Sequence, residues 1–462
     1  MTLRTLAAVA AGKLARAGLQ ALGRGATAFP GLIVLAVDPG AIRVMTAGLA
    51  HGTVVVSGTN GKTTTSRMLA DIVGAFGWTP IHNRSGSNLD RGIATALVAG
   101  SDWAGTPSGD VAIFEVDEAS VPRVLQRIEP RVALVTNLFR DQLDRYFEVD
   151  QLARRIGASF AGLPETTTLV LNADDPIVAR LGEGHRGRTV YFGIDDPGVG
   201  GRVPQAISDA THCPRCGTRL RYERVILAHV GDWACPACGL ARPRADISAV
   251  RVELLADRGR LRVAGAAASA ADALDVPLPG LYNAYNALAA AATADALGIG
   301  TATVARALAG FRPAFGRLET IEAEGRRLRV VLVKNPAGFN AAIGALLERG
   351  GQHRLLAALN DRDADGRDVS WIWDADFEAL VPAVTHAVVT GLRARDLALR
   401  LKYAGLARDR VEVLEGWSAA IRRAIALAPL GGEVVVVTTY TAMLALRDAL
   451  ARMGFVRQFW ED

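Results

Sequence analysis

Lysine is almost missing from this sequence. In 462 residues it stands only at positions 13, 62, 334 and 402, and arginine supplies nearly all the basic side chains. Arginine and the carboxylates are interleaved, no run of five like charges occurs, and aromatic residues make up 6%. Binding to single-stranded nucleic acid asks for a basic track with stacking rings along it. Its absence makes a mixed, solvated surface the expectation, despite a net charge of +5. No nucleic-acid partner is expected. Long apolar runs are lacking too. The stretch Leu6 to Gly12 is cut by Lys13, Arg16 and Arg24, well short of the roughly 18 residues a membrane span needs. Basic residues at Arg4, Lys13, Arg16 and Arg24 also do not fit the order of a signal peptide. A cytoplasmic protein is expected. Its first helix packs on the body or lies against anionic lipid at the inner membrane face, packing being the first expectation. Internal repeats and low-complexity tracts are absent.

With 462 residues, half of them apolar, the chain exceeds one ordinary core, so two or three domains are expected. Thr53 to Ser57 is a β-branched run, followed by a glycine turn and a helical pattern from Thr64 to Phe76. Similar runs at Val111 to Val116, Val132 to Thr136 and Thr168 to Asn172 predict an α/β domain with a largely parallel sheet. A cysteine-bearing segment at about 209–243 interrupts it, and Pro279 to Leu297 returns as a helix. Ala264 to Ala273 reads as a solvent-facing loop or weak helix. Further strands at Leu328 to Val333, Leu355 to Leu359, Ala387 to Thr390 and Glu433 to Thr438 alternate with helices at Phe339 to Arg349 and Ala394 to Tyr403. The expected division is an N-terminal helical segment at 1–50, an ATP-binding domain at 51–312 and a smaller α/β domain at 313–462.

Gly58-Thr59-Asn60-Gly61-Lys62-Thr63, with Thr64 after it, ends as a phosphate-binding loop does. Glycines let the backbone approach the phosphates, a lysine meets the outer phosphates, and a hydroxyl meets Mg²⁺ at a helix N-terminus. After the next strand, Phe114-Glu115-Val116-Asp117-Glu118 places carboxylates at the same sheet edge. That suits Mg²⁺, with Glu115 the first choice and Glu118 the other.

The hexad GTNGKT resembles the form found in Mur ligases and folylpolyglutamate synthetases. Thr136-Asn137-Leu138-Phe139-Arg140-Asp141-Gln142-Leu143-Asp144 and Leu171-Asn172-Ala173-Asp174-Asp175 are similar to segments of these ligases. Asn283-Ala284-Tyr285-Asn286 resembles their asparagine helix, which implies that Asn286 faces the adenine. Arg317, after Phe315-Gly316, resembles an arginine near the adenine and phosphates, an ordinary interdomain ion pair being its other reading. Two family features are missing. No lysine stands between 63 and 333 for the carbamylated lysine of those ligases, and about 50 residues before the loop are too few for a UDP-sugar domain.

Cys213-Pro-Arg-Cys216 and Cys235-Pro-Ala-Cys238 use every cysteine in the chain, with residues 217–234 between them. The spacing is that of a tetrahedral structural zinc ribbon. Two disulfides are the other reading, disfavoured in a reducing compartment. A short front and a four-cysteine insertion together resemble the MurT family, the synthetase subunits of lipid II isoglutaminyl synthase. Lys334 to Asn340 and Asn360 to Asp374 are similar to its second-domain signatures.

The resemblance implies a Mur ligase-type P-loop domain with an inserted four-cysteine zinc ribbon and a smaller C-terminal α/β domain. It implies ATP, Mg²⁺ and Zn²⁺, and ATP-dependent amidation of the D-glutamate α-carboxylate of lipid II through an acyl phosphate. The partner implied is a GatD-like glutamine amidotransferase, forming a heterodimer and supplying ammonia. Glutamine hydrolysis needs a nucleophilic cysteine, and all four here belong to the ribbon. The resemblance gives Asp368 the task of orienting the partner's histidine, with Asp365 as the fallback. The alternatives are an amino-acid-adding ligase of the muramyl-peptide or folylpolyglutamate type, and a nucleic-acid-dependent ATPase with a zinc ribbon.

Overall fold

The computed structural model describes residues 1–22, 27–83, 87–140, 149–201, 209–255, 257–265, 273–312, 317–347 and 350–456, with only the backbone of Arg317 and Leu318. Outside the described residues lie Asp141 to Asp144 of the segment that begins at Thr136, Phe315 and Gly316, the side chain of Arg317, the end of the helix expected to reach Arg349, and most of the stretch from Ala264 to Ala273.

Three helices open the chain: α1 (Leu3–Ala21), α2 (Phe29–Val37) and α3 (Ala41–Thr46). Thr2 caps α1, its hydroxyl accepting the Thr5 amide at 3.1 Å. There follow β1 (Thr53–Ser57), α4 (Lys62–Phe76), β2 (Pro80–His82), α5 (Asp90–Ala99), β3 (Val111–Glu115), α6 (Val121–Leu125), β4 (Val132–Val135), α7 (Val149–Ala161), β5 (Thr168–Asn172), α8 (Pro176–Ala179) and β6 (Thr189–Ile194). Next come β7 (Arg221–Leu227), β8 (Val230–Ala234), β9 (Ile247–Leu254), β10 (Gly259–Ala264), β11 (Ala273–Val276), α9 (Leu281–Ala296) and α10 (Thr301–Ala309).

The large sheet has nine strands in the order β11-β10-β9-β6-β5-β4-β1-β3-β2. From β2 to β9 every pairing is parallel, and β9, β10 and β11 continue antiparallel. The largely parallel sheet read from the sequence is met, with an antiparallel edge that the alternating, half-exposed β10 explains. β1 is buried along its whole length, as a β-branched run covered on both faces must be. Val56 stands opposite Glu115, and Ser57 opposite Val135. The carboxyl ends of β1, β3 and β4 therefore meet at one edge, where ligands of open α/β sheets bind.

The three N-terminal helices pack on α5. A Cβ at Gly31 of α2 would lie 1.8 Å from the Arg91 carbonyl, and one at Gly12 of α1 would lie 2.6 Å from Val34. Only glycine permits that approach.

The ribbon is inserted between β6 and β9, which are neighbours in the large sheet. β7 and β8 form its hairpin, turning at Ala228 and His229. A small core of Cys213, Leu220, Trp233 and Cys235 closes on Ala179 of α8.

The C-terminal part comprises β12 (Arg317–Ala323), β13 (Arg326–Leu332), α11 (Pro336–Leu347), β14 (His353–Ala358), α12 (Phe377–Leu380), β15 (Val384–Thr390), α13 (Ala394–Tyr403), β16 (Val411–Val413), α14 (Trp417–Leu427), β17 (Glu433–Thr438) and α15 (Tyr440–Arg452). Its six-stranded sheet runs β12-β13-β17-β14-β15-β16, parallel except for the β12–β13 hairpin. That hairpin turns through Glu324 and Gly325, both at positive φ, as a two-residue turn matched to strand twist requires. The sequence reading placed β17 and α13 on their observed bounds and missed β12. Ala264 and Ala273, read as ends of a loop or weak helix, instead close β10 and open β11.

Candidate active site

At the carboxyl edge of β1 the chain turns through Gly58 and Gly61, at φ +129° and +87°. A Cβ at Gly58 would meet Thr136 Oγ1 at 2.2 Å, and one at Gly61 would meet Asn286 Oδ1 at 2.0 Å. Both positions need glycine for conformation and for space. The segment after β4 clamps the loop. Asn60 N–H donates to Asn137 Oδ1 at 2.9 Å, Asn137 Nδ2 donates to the Asn60 carbonyl at 3.0 Å, and Thr136 Oγ1 donates to the same carbonyl at 2.8 Å. Thr59 N–H donates to the Asn137 carbonyl at 2.9 Å, and Phe139 N–H to Thr59 Oγ1 at 3.0 Å. The similarity at Thr136 to Arg140 is thus explained: these residues give the phosphate loop its shape.

Lys62 opens α4 and is buried. Its ammonium donates to Glu118 Oε2 at 2.8 Å, to the Thr59 carbonyl at 3.3 Å, and to the Gly58 carbonyl. Burial pushes the Glu118 carboxyl up, but Lys62 first and Lys334 next outweigh it and hold the group below the usual carboxylate range. Thr63 is half-buried at the head of α4, and Thr64 beside it is buried.

Glu115 ends β3, buried, with its amide donating to Asn83 Oδ1 at 2.9 Å and its carbonyl accepting from Asn83 Nδ2 at 2.8 Å. The carboxylate in contact with the loop lysine is Glu118, the other magnesium candidate of the sequence reading. Across in the C-terminal part, burial raises the Tyr440 phenol, and Asp365 and Glu115 add to that shift.

Asn286 is buried on α9 behind the loop. Thr65 Oγ1 donates to its Oδ1 at 3.4 Å, and its Nδ2 donates to Asn283 Oδ1 at 3.1 Å. The C-terminal part reaches the loop through Asn335, whose Nδ2 donates to Asn60 Oδ1 at 3.2 Å. The same Asn335 caps α11, accepting the Gly338 amide at 2.8 Å. Asn83 and the approach of Lys334 to Glu118 were missed in the sequence, and Asn137, quoted there within a family segment, was given no role. Each is a polar residue just beyond a strand end, a signal many loops share.

Asp368 is half-buried, and its Oδ1 accepts the Ser370 amide at 2.8 Å at the head of a short 3₁₀ turn, Ser370–Trp373. Asp365 is different. It is buried and accepts from the Arg362 and Thr441 amides at 3.2 and 2.7 Å and from Thr441 Oγ1 at 2.5 Å. Saturated in this way, it locks its loop to the start of α15 and has no outward reach.

The four cysteine sulfurs lie within 4.8 Å of one another, with Cys213 to Cys238 at 3.6 Å and Cys216 to Cys235 at 3.5 Å. Thiolates set tetrahedrally about 2.3 Å from zinc stand ~3.8 Å apart, so the set fits. Two matching knuckles hold it: Cys213 N–H donates to the Thr218 carbonyl and Cys235 N–H to the Leu240 carbonyl, both at 2.7 Å, over Gly217 and Gly239 at positive φ. Hydrogen bonds from Thr218 pull the Cys216 thiol down to about 6. Cys238 moves the other way, to about 11, because burial and the three neighbouring thiols outweigh the Leu240 amide. Four thiolates so close together are what a bound cation would permit.

The ribbon also reaches the site. Arg242 Nε donates to the buried Asp174 at 2.6 Å, as does Tyr285 OH at 2.7 Å, beside Asn286. Trp233 Nε1 donates to the Ala173 carbonyl at 3.1 Å. At the hairpin tip, His229 is fully buried, 3.4 Å from Asp175 Oδ1 and 4.6 Å from the Phe139 ring. Asp175 in turn accepts the Leu138 amide at 2.9 Å. The ribbon thus supports the segment that clamps the phosphate loop.

Comparison with known proteins accords with this geometry. The Mur ligase middle domain model matches residues 56–206, and the MurT ligase C-terminal model matches 332–443. The lipid II isoglutaminyl synthase (glutamine-hydrolyzing) subunit MurT of Staphylococcus aureus (strain N315) is 34% identical over 97% of this chain and 98% of its own length. The chain belongs to the MurT family. The MurT subunit of Streptococcus pneumoniae (strain ATCC BAA-255 / R6) is 32% identical over 99% of each chain. Both relatives are named as one subunit of an enzyme, which implies a partner subunit for the family.

Among solved structures, a pseudomurein peptide ligase type C from Methanothermus fervidus superposes with a TM-score of 0.64 at 24% identity, covering 87% of this chain and 78% of that one. Folylpolyglutamate synthase of Mycobacterium tuberculosis, complexed with ADP and AMPPCP, superposes at 0.59 with 18% identity, covering 91% and 93%. The Mur ligase fold read from the sequence is met, and as a MurT-type Mur ligase the chain is an ATP-dependent carbon–nitrogen ligase. Among the described residues, no helix is long and apolar enough to cross a membrane.

Proposed function

We propose that this chain is the synthetase subunit of a lipid II isoglutaminyl synthase, converting the α-carboxylate of D-glutamate in the lipid II stem peptide to the amide. The observation that carries the reading is the buried Lys62–Glu118 pair at the head of α4, in a chain matched over its length by MurT subunits. In this reading residues 51–312 bind ATP, residues 313–462 close on it, and residues 1–50 pack alongside.

Gly58 to Thr64 present backbone amides and hydroxyls to the phosphates, and Lys62 neutralises charge on the outer ones. Thr63, Glu118 and Glu115 are the groups that would hold Mg²⁺, which supplies charge neutralisation between the phosphates. Asn286 and Arg317 belong to the nucleotide side of the site. The acceptor carboxylate attacks the γ-phosphate, giving an acyl phosphate and ADP. Ammonia then attacks the acyl carbon, phosphate leaves, and the amide remains. No protein nucleophile is needed, and catalysis is positioning and charge neutralisation. Cys213, Cys216, Cys235 and Cys238 would hold a zinc ion in a closed shell, with no position open for substrate.

A GatD-like glutamine amidotransferase subunit supplies the ammonia, with Asp368 orienting its catalytic histidine. The acceptor is anchored in lipid, so the enzyme works at the inner face of the membrane. Incubating the chain with ATP, Mg²⁺, ammonium and lipid II tests the reading. The product should carry one carboxylate replaced by an amide by mass, and hydroxylamine in place of ammonium should trap a hydroxamate. Coupling of a free amino acid instead would transfer the chain to the amino-acid-adding ligases.

A further inference from the structure

We infer that the outer face of α1 and α2 is a docking surface for an anionic lipid bilayer. The helices lie side by side and antiparallel: Arg4 near the start of α1 donates to the Val37 carbonyl at the end of α2, and Thr5 Oγ1 donates to Asp38 at 2.7 Å. Their buried sides, with Ala8, Val9 and Gly12 on α1 and Gly31 and Val34 on α2, turn toward each other and α5. The outward sides are apolar as well. Leu14 is 63% exposed, Leu32 51% and Trp103, beside Lys13, 62%, and Leu3 and Phe29 are also exposed. A solvated helix face carries charge, whereas on α2 no residue is charged at all.

The two helices themselves bring charge of one sign. Residues 1–37 contain Arg4, Lys13, Arg16 and Arg24 and no acid, while the whole chain nets only +5. Of the acids nearby, Asp38 is buried under Thr5 and the Gly40 amide, and Asp102, exposed next to Trp103, accepts the Thr106 amide and is the one carboxylate acting on Lys13. The Lys13 ammonium is held by the Val98 and Ser101 carbonyls and Arg4 Nε by the Val37 carbonyl, so the terminal nitrogens of Arg4 and the half-buried Arg16 are the cations that would meet phosphate headgroups. Aromatic and leucine side chains with a basic rim are the composition of a surface that lies in the headgroup layer.

The helices that carry the face connect to the reaction edge through α5. Gly31 N–H donates to Thr95 Oγ1 of α5 at 2.9 Å, and just before α5 the Asn88 carbonyl accepts the Asp117 amide at 3.0 Å, next to Glu118. A bilayer held against α1 and α2 would concentrate the enzyme where a lipid-anchored acceptor lies. This deepens the proposed function and rests on it only for the acceptor.

The test is sedimentation of the full chain with vesicles of phosphatidylglycerol and phosphatidylcholine, and with phosphatidylcholine alone. Binding is expected to the anionic vesicles, to weaken with salt, and to fall at least tenfold in the double variant Leu14→Asp/Leu32→Asp and several-fold in Arg16→Gln. Both leucines are exposed, and an unchanged melting temperature would show that the fold is kept. No binding by the native chain, or equal binding by the variants, overturns the docking surface. A native dimer in solution that the leucine variant makes monomeric also overturns it, by assigning the face to a second copy. In ammonium-driven amidation, the leucine variant should be slow on acceptor embedded in anionic vesicles and unchanged on a short-chain, water-soluble acceptor; equal rates on both would also overturn the surface. If neither acceptor is amidated by the native chain, the proposed reaction fails, and vesicle binding still decides the docking surface.

Discussion

Lys62 Nζ and Glu118 Oε2 stand 2.8 Å apart, both buried, at the edge where β1 and β3 end. The pair fixes the lysine before any phosphate arrives. Lys62→Ala is expected to abolish ATP turnover, because the cation for the outer phosphates is gone. It also leaves Glu118 buried with less compensation. The folded pKa of Glu118 is depressed by Lys62, so the pair's stabilisation is present above the unfolded value and is lost as pH falls through the folded one. Melting curves of the variant and the parent should differ most near neutral pH and converge as the solution is acidified below about pH 4. A constant gap would remove Glu118 from the account.

Gly61→Ala tests the loop's geometry. Its Cβ would meet Asn286 Oδ1 at 2.0 Å on a backbone at positive φ. A loss of about 1–3 kcal/mol in nucleotide binding is expected, measurable by calorimetry with ADP. Asn286→Ala in the same chain should recover only the steric share.

One zinc per chain is the expectation for the purified protein by elemental analysis, and Cys213→Ser or Cys238→Ser should lose it and melt earlier. Because the ribbon tip supports Phe139 and Asp175, nucleotide affinity should weaken as well. A variant without metal that binds ADP as the parent does would confine the ribbon to stability.

Arg242→Met removes the partner of Asp174. Burial already raises that carboxyl and Arg242 works against the rise, so the variant leaves a buried charge uncompensated. A destabilisation of ~3–5 kcal/mol at neutral pH is expected by chemical denaturation. A change below about 1 kcal/mol would mean that Tyr285 and the Ile194 amide suffice.

Asp368→Asn separates the two half-reactions in the complex with the amidotransferase. The amide keeps the shape and cannot stabilise a histidinium, so glutamine-driven amidation should collapse while ammonium-driven amidation continues. Equal loss of both would place Asp368 in acceptor binding or folding.

The sequence by itself determined the elements whose signal is local. The run Thr53 to Ser57 is buried on both faces and reads as a central strand, and GTNGKT carries its own turn because glycine alone adopts that backbone. The paired CxxC motifs bring their knuckles with them. What only the tertiary structure decided depends on residues far apart in sequence meeting across the fold. That Glu118 meets Lys62 was decided by the course of the chain after β3, which no spacing encodes. Asn335 reaching Asn60, and Arg242 reaching Asp174, join segments whose separation leaves no periodic trace. The outward faces of α1 and α2 were apolar in the sequence as well, but apolar residues on a helix announce burial. Their exposure became visible only once α5 was seen to take the opposite side of each helix.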